Sequence, residues 1–132
     1  MFRTARWNLV ALGVVGCGGT PAATFHTTAT PKDAVACLTA VLDSADYTVE
    51  RVDRKKGSVL ASQQVPGGPV SDMREFRRTD KIAFDQGKGG DWVYKAYGIR
   101  QLASAVGNQE ETIEATNKAI DDANSFAKRC GQ

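Results

Sequence analysis

Histidine occurs once in these 132 residues and cysteine three times. The lone His26 lies in a Thr-rich stretch outside any periodic segment. A Ser-His-acid or Cys-His arrangement therefore has no base to draw on, and an enzyme is not expected. Cys17, Cys37 and Cys130 are far apart and lack neighbouring ligands, so the short spacings of zinc sites are missing and no metal is expected. Long apolar runs are also missing. A helix needs about 20 apolar residues to cross a bilayer, whereas the most apolar stretch, Trp7 to Gly16, has ten.

The carboxylates do not assemble an acid/base pair on paper. Asp121 and Asp122 are neighbours on a predicted helix and point about 100° apart. Asp85 and Asp91 flank a Gly-rich turn, but two carboxylates make a poor cation site. Gly87-Lys88-Gly89-Gly90 lacks the spacing and following Ser/Thr of a phosphate-binding loop, and no cofactor is expected.

The chain opens with two arginines, Arg3 and Arg6, and no acid, followed by the uncharged run Trp7 to Gly16. That run is too short for a permanent span and suits a cleavable export signal. It ends in Val14-Val15-Gly16-Cys17, which resembles the lipobox of bacterial lipoproteins, with Val14 where Leu is commoner. The resemblance implies removal of residues 1–16 and lipid on Cys17. It also implies attachment to the membrane through that lipid. Gly18, rather than Asp, after the cysteine implies the periplasmic face of the outer membrane in a two-membrane host. Of 17 basic and 15 acidic side chains, Arg3 and Arg6 leave with the signal, so the mature chain carries 15 of each. The basicity belongs to the signal, and nucleic acid is not an expected partner.

Residues 17–29 are small and Thr-rich and read as a flexible tether, reaching roughly 40 Å at about 3.3–3.6 Å per residue. A single domain occupies residues 30–132. In an exported chain Cys37 and Cys130 are expected to form a disulfide across the domain.

Thr30-Pro31-Lys32-Asp33 is a strong helix start, and Ala34, Val35, Leu38, Val41 and Leu42 follow at helical spacing. Tyr47 to Val52 and Ser58 to Gln63 read as a hairpin with Gly57 at the position needing positive φ. Met73 to Arg78 and Lys81 to Gln86 look extended, with a bend near Thr79-Asp80. Trp92 to Ile99 is a strand that sends Trp92 and Tyr94 to one face and Tyr97 to the other. Gly107-Asn108 breaks the chain before a last helix, Gln109 to about Arg129, with Glu110, Glu111 and Glu114 in its first turns. The expected order is α-β-β-β-β-α. That is an α+β fold of two layers, with both helices on one face of an antiparallel sheet.

The helix and hairpin from Pro31 to about Gln64 resemble the small domains of the lipoprotein C subunit of the outer-membrane β-barrel assembly machine. This likeness implies a shape and a compartment rather than an activity. Residues 47–104 hold 11 Lys/Arg against 7 Asp/Glu. Arg51, Arg54, Lys55, Lys56, Arg74, Arg77 and Arg78 are the candidate contact face for an anionic partner. The expectation is a lipid-anchored interaction or scaffold module that contacts an envelope protein. The alternative is a binding protein for a small or polymeric envelope ligand, with a groove near Gly67-Gly68 and Gly87-Gly90.

Overall fold

The computed structural model describes residues 23–65, 76–87, 89–104 and 107–131. The elements run β1 (Ala23–Phe25), α1 (Pro31–Ser44), β2 (Thr48–Asp53), β3 (Ser58–Val65), β4 (Phe76–Gln86), β5 (Trp92–Ser104), β6 (Gly107–Ile113) and α2 (Asn117–Cys130). The sequence dictates where α1 begins. Thr30 Oγ1 accepts the Asp33 N–H at 3.2 Å, and Pro31 occupies a first-turn position where no amide donor is needed. Ala34, Val35, Leu38 and Leu42 form its buried stripe.

All strand pairs are antiparallel, in the order β1-β5-β4-β3-β2. Because β4 occupies one edge of β5, β1 and β6 share the other edge, β1 against Trp92–Tyr94 and β6 against Gly98–Ser104. Alternation sends Val59, Ala61, Ile82, Phe84, Trp92, Tyr94 and Ala96 toward the helices, where they are buried. The molecule is thus an α+β sandwich in two layers. Trp92, Phe84, Leu38, Leu42, Ile82 and Val35 are its largest fully enclosed side chains. Each contributes about 1.5–3 kcal/mol by leaving water.

Three expectations need correction. The stretch assigned to a tether ends in structure: Ala23–Phe25 is a strand, held because Phe25 stacks on Trp92 at 5.9 Å and meets Phe84 edge-on at 6.4 Å. The bend near Thr79-Asp80 is absent, and β4 pairs without interruption from Phe76 to Gln86. The last helix starts at Asn117, eight residues later than expected, because residues 107–113 pair with β5. Thr116 is its cap, with Oγ1 accepting the Ala119 N–H at 3.2 Å. The sheet therefore has six strands, not four.

Register fixes what lies at each end of the sandwich. At one end sit the β2–β3 and β4–β5 turns, His26, the start of α1 and the finish of α2. Here Ser58 pairs with Asp85 and Asp85 with Val93, and the Gly131 backbone packs against Phe25. The opposite end holds the finish of α1, the start of α2 and the β5–β6 connection. There Gln63 Nε2 donates to Ala45 O at 3.1 Å and Thr116 Oγ1 donates to Asp80 Oδ2 at 2.5 Å. Cys37 on α1 and Cys130 on α2 form a disulfide with their Cα atoms 5.7 Å apart.

Candidate functional site

Both helices cover one face of the sheet, and among the described residues no element covers the other. Cross-strand rows on that open face read Leu60-Ala83-Lys95, then Ser62-Lys81-Tyr97, then Gln64-Thr79-Ile99. Leu60, Ala83, Tyr97 and Ile99 are half-buried, and Val93 is 39% exposed. Aromatic and aliphatic side chains thus lie side by side on a surface that faces water. Lys95 Nζ stands 5.4 Å from the centre of the Tyr97 ring, an arrangement that shields one edge of this patch.

Toward the opposite end of the sandwich the same face becomes polar. A hollow of about 500 Å³ is lined by Thr48, Glu50, Ser62, Thr79, Lys81 and Gln101, among others. A bulge between Val49 and Arg51 places Glu50 here. Its carboxylate lies below the usual range, first through its hydrogen bond with Ser62 and then through the Lys81 ammonium 3.2 Å away. An ionised, paired carboxylate is a poor general acid.

The residues expected to form a basic face do not gather there. Arg54, Lys55 and Lys56 project from the β2–β3 turn, and Arg51 is exposed on the edge strand β2. Arg78 faces the helix layer instead. Its Nη2 donates to Glu114 O at 2.6 Å, and its Nε is 3.7 Å from the buried Asp80 carboxylate. Arg78 pairs with Val65, at the far end of β3 from the turn, which is roughly 23 Å at about 3.3 Å per residue. Arg77 is described in its backbone alone. Arg74 and Cys17 lie outside the described residues, as do Gly67 and Gly68.

The turn carrying the three cations is rigidly built. Asp53 Oδ1 accepts the N–H groups of Lys55 and Lys56 at 3.1 and 2.9 Å. Gly57 has φ +88°, and a side chain on it would meet Gln86 at 3.0 Å and Trp92 at 3.3 Å. His26, expected as a solvated linker residue, pairs through Nδ1 with Asp91 Oδ1 at 2.8 Å. Glu110 and Glu111 do not serve a helix start. They accept from Gln101 and Arg100 across β5–β6.

A second hollow, about 640 Å³, opens between β1 and α2 beside Phe25, Tyr94, Asn124 and Lys128. Tyr94 donates to Asn124 Oδ1 at 2.8 Å, and its phenol is pushed up by burial. No cluster of three or more metal-ligating side chains occurs among the described residues. Among the same residues no helix is long and apolar enough to cross a membrane.

No protein-family model matches the chain, and no curated protein matches it. Among solved structures, it is similar to the crystal structure of a DUF4468 family protein from Bacteroides ovatus. The two share 8% sequence identity with a TM-score of 0.43, over 83% of this chain and 78% of that one.

Proposed function

We propose that this chain is a non-enzymatic interaction module of the cell envelope. In this reading lipid on Cys17 anchors it, and the open sheet face binds another envelope protein. The observation that carries the contact is the grouping of Leu60, Ala83, Val93, Tyr97 and Ile99 on a sheet face that no described element covers. Contiguous apolar patches on a water-facing surface are a mark of protein interaction sites. The lipobox-like Val14-Val15-Gly16-Cys17 and the charged n-region support the anchor.

A photo-crosslinking amino acid at Val93, on the open face and clear of the polar hollow, in the intact, lipidated protein tests the contact. A discrete protein adduct is expected from Val93 and none from Asp43, which is exposed on α1. Equal labelling at the two positions sinks the reading. Cys17→Ala is expected to release the protein into the soluble fraction, and unchanged membrane retention would contradict lipid anchoring.

The polar hollow favours a second reading, a binding site for a small or polymeric ligand of the envelope. Its hydroxyls and amides suit a ligand rich in hydrogen-bonding groups, with Glu50 paired to Lys81 and with Asp46 and Glu110 also in the lining. Ligand capture abolished by Thr79→Val or Gln101→Leu, with no discrete protein adduct from Val93 in the unmodified site, selects this reading over the first.

A further inference from the structure

The chain leaves its proposed anchor and enters the sheet almost at once. Only Gly18 to Ala22 separate Cys17 from Ala23, the first residue of β1. At about 3.3–3.6 Å per residue the six steps from Cys17 to Ala23 span roughly 20 Å at most. That is half the reach expected had the tether run to residue 29. It is less than the roughly 40 Å spanned by the 13 residues of β5 at about 3.3 Å each, so a lipid on Cys17 would hold the body of the molecule close to the membrane surface.

Charge distinguishes the two ends of the sandwich. The end reached by β1 exposes Lys32, Arg54, Lys55, Lys56, Lys128 and Arg129. Against them stand four exposed carboxylates. Asp53 accepts backbone N–H groups within its own turn, Asp91 faces His26, Asp33 lies in the first turn of α1, and Asp85 is on β4. The opposite end exposes Asp43, Asp46, Glu110, Glu111 and Glu114 against Lys118, with Arg100 paired to Glu111 and the half-buried Arg78 beside Asp80. Ala23, where the leash joins, pairs with Tyr94, two residues from Trp92, so the leash joins nearer the cationic end than the acidic one.

From leash length and charge together, we propose that the end bearing Arg54, Lys55, Lys56 and Lys128 rests on anionic lipid headgroups of the membrane holding the anchor. The proposal depends on the lipid-anchor reading above. Attraction of basic side chains to an anionic leaflet fades within a Debye length, about 8 Å at physiological salt. A leash of this length keeps the cations close enough for that attraction to act. One lipid-attached segment and one basic patch together hold a surface more firmly than either alone. The docked end then turns the acidic end and the β5–β6 connection away from the bilayer. The open sheet face is left running up from the surface, reachable from the side.

The test uses the full lipidated protein on phosphatidylcholine vesicles with and without phosphatidylglycerol, with a quencher carried on lipid headgroups. Single fluorescent amino acids replace Thr28, exposed before the start of α1, or Ser44, exposed at its finish, in separate preparations. With phosphatidylglycerol, the position-28 fluorophore is expected to be quenched several-fold more than the one at 44, and added salt should shrink that ratio. The triple variant Arg54→Gln, Lys55→Gln, Lys56→Gln should lose the asymmetry while still floating with the vesicles. Its three positions are exposed on a turn whose backbone bonds it keeps, so its folding is preserved. Phe25→Ala, which frees β1 and lengthens the leash, should also reduce the ratio. Equal quenching at 28 and 44, or a ratio indifferent to phosphatidylglycerol, overturns the docking proposal. Failure of the wild-type protein to float, or flotation of Cys17→Ala on phosphatidylcholine alone, rejects the anchor itself and is read separately from the ratio.

Discussion

Tyr47 joins three parts of the molecule through one hydroxyl. It donates to Asp122 Oδ2 at 2.7 Å, and Lys118 Nζ reaches the same oxygen at 2.8 Å while also meeting Gln63 Oε1. The link between α1 and β2, strand β3 and helix α2 are thereby tied at one point. Burial, followed by the hydrogen bond to Asp122 and that carboxylate's charge, raises the phenol well above its ordinary value. A phenol raised on folding stabilises the native state below its unfolded value, about 10. That stabilisation is lost as pH rises from there toward the folded value, so stability should fall above about pH 10. Tyr47→Phe is expected to cost about 1 kcal/mol at neutral pH, one buried hydrogen bond. It should also flatten part of the alkaline loss in denaturant titrations. Tyr94, raised by burial, keeps some of that loss in place. None of this triangle is legible in sequence, because Tyr47, Gln63 and Asp122 share no periodicity.

Gly131 shows a different kind of limit. The sequence marks it as a helix stop, and its N–H does close on Ala127 O at 2.8 Å. Its φ of −109° is ordinary, however, so conformational freedom does not explain it. What it supplies is closeness: an added Cβ would stand 2.5 Å from the Phe25 ring and 2.8 Å from Ala127 O. Gly131→Ala should push Phe25 off its stack on Trp92. A loss of about 1–3 kcal/mol from such overpacking is expected in thermal unfolding. Hydrogen-exchange protection lost from β1 before the rest of the sheet would locate the damage.

Among the elements, α1 and the β2–β3 hairpin follow from local signals. A Thr-Pro start, a helical stripe and a glycine at positive φ each specify geometry within a few residues. Strand β1 carries no such signal. Three residues among threonines and alanines look like linker, and only the distant Trp92, Phe84 and Tyr94 make Phe25 worth ordering. Phe25→Ala is accordingly expected to detach β1 and destabilise the fold by about 2–4 kcal/mol. The sheet core should persist, visible as retained near-ultraviolet signal from the buried Trp92. Strand β6 misleads in the opposite direction. Glu110, Glu111 and Glu114 suit a helix N-terminus, yet cross-strand partners Gln101 and Arg100 recruit the first two into the sheet. The decisive local mark was Thr116, a capping residue just before Asn117, which a count of acids outweighs.

At the scale of the whole molecule, the fold class was legible because one helical stripe, one hairpin and one aromatic strand already require a two-layer packing. The open face was legible as an alternation but not as a surface. Arg78 belongs to the helix side, and only register reveals that the cations of the turn lie far from it. The Cys37–Cys130 disulfide spans 93 residues, and closing so long a loop in the unfolded chain contributes about 4–5 kcal/mol. Reduction is expected to lower the denaturation midpoint by that equivalent in urea, against an alkylated control.

That same bond determines what a cut does. A protease that opens the backbone anywhere between Cys37 and Cys130, whether at the β2–β3 turn or in the β3–β4 connection, leaves two pieces joined through sulfur. The C-terminal piece then stays attached to the residues that precede α1. A nicked molecule gains only the mass of one water, and only a reductant turns the cut into a separation.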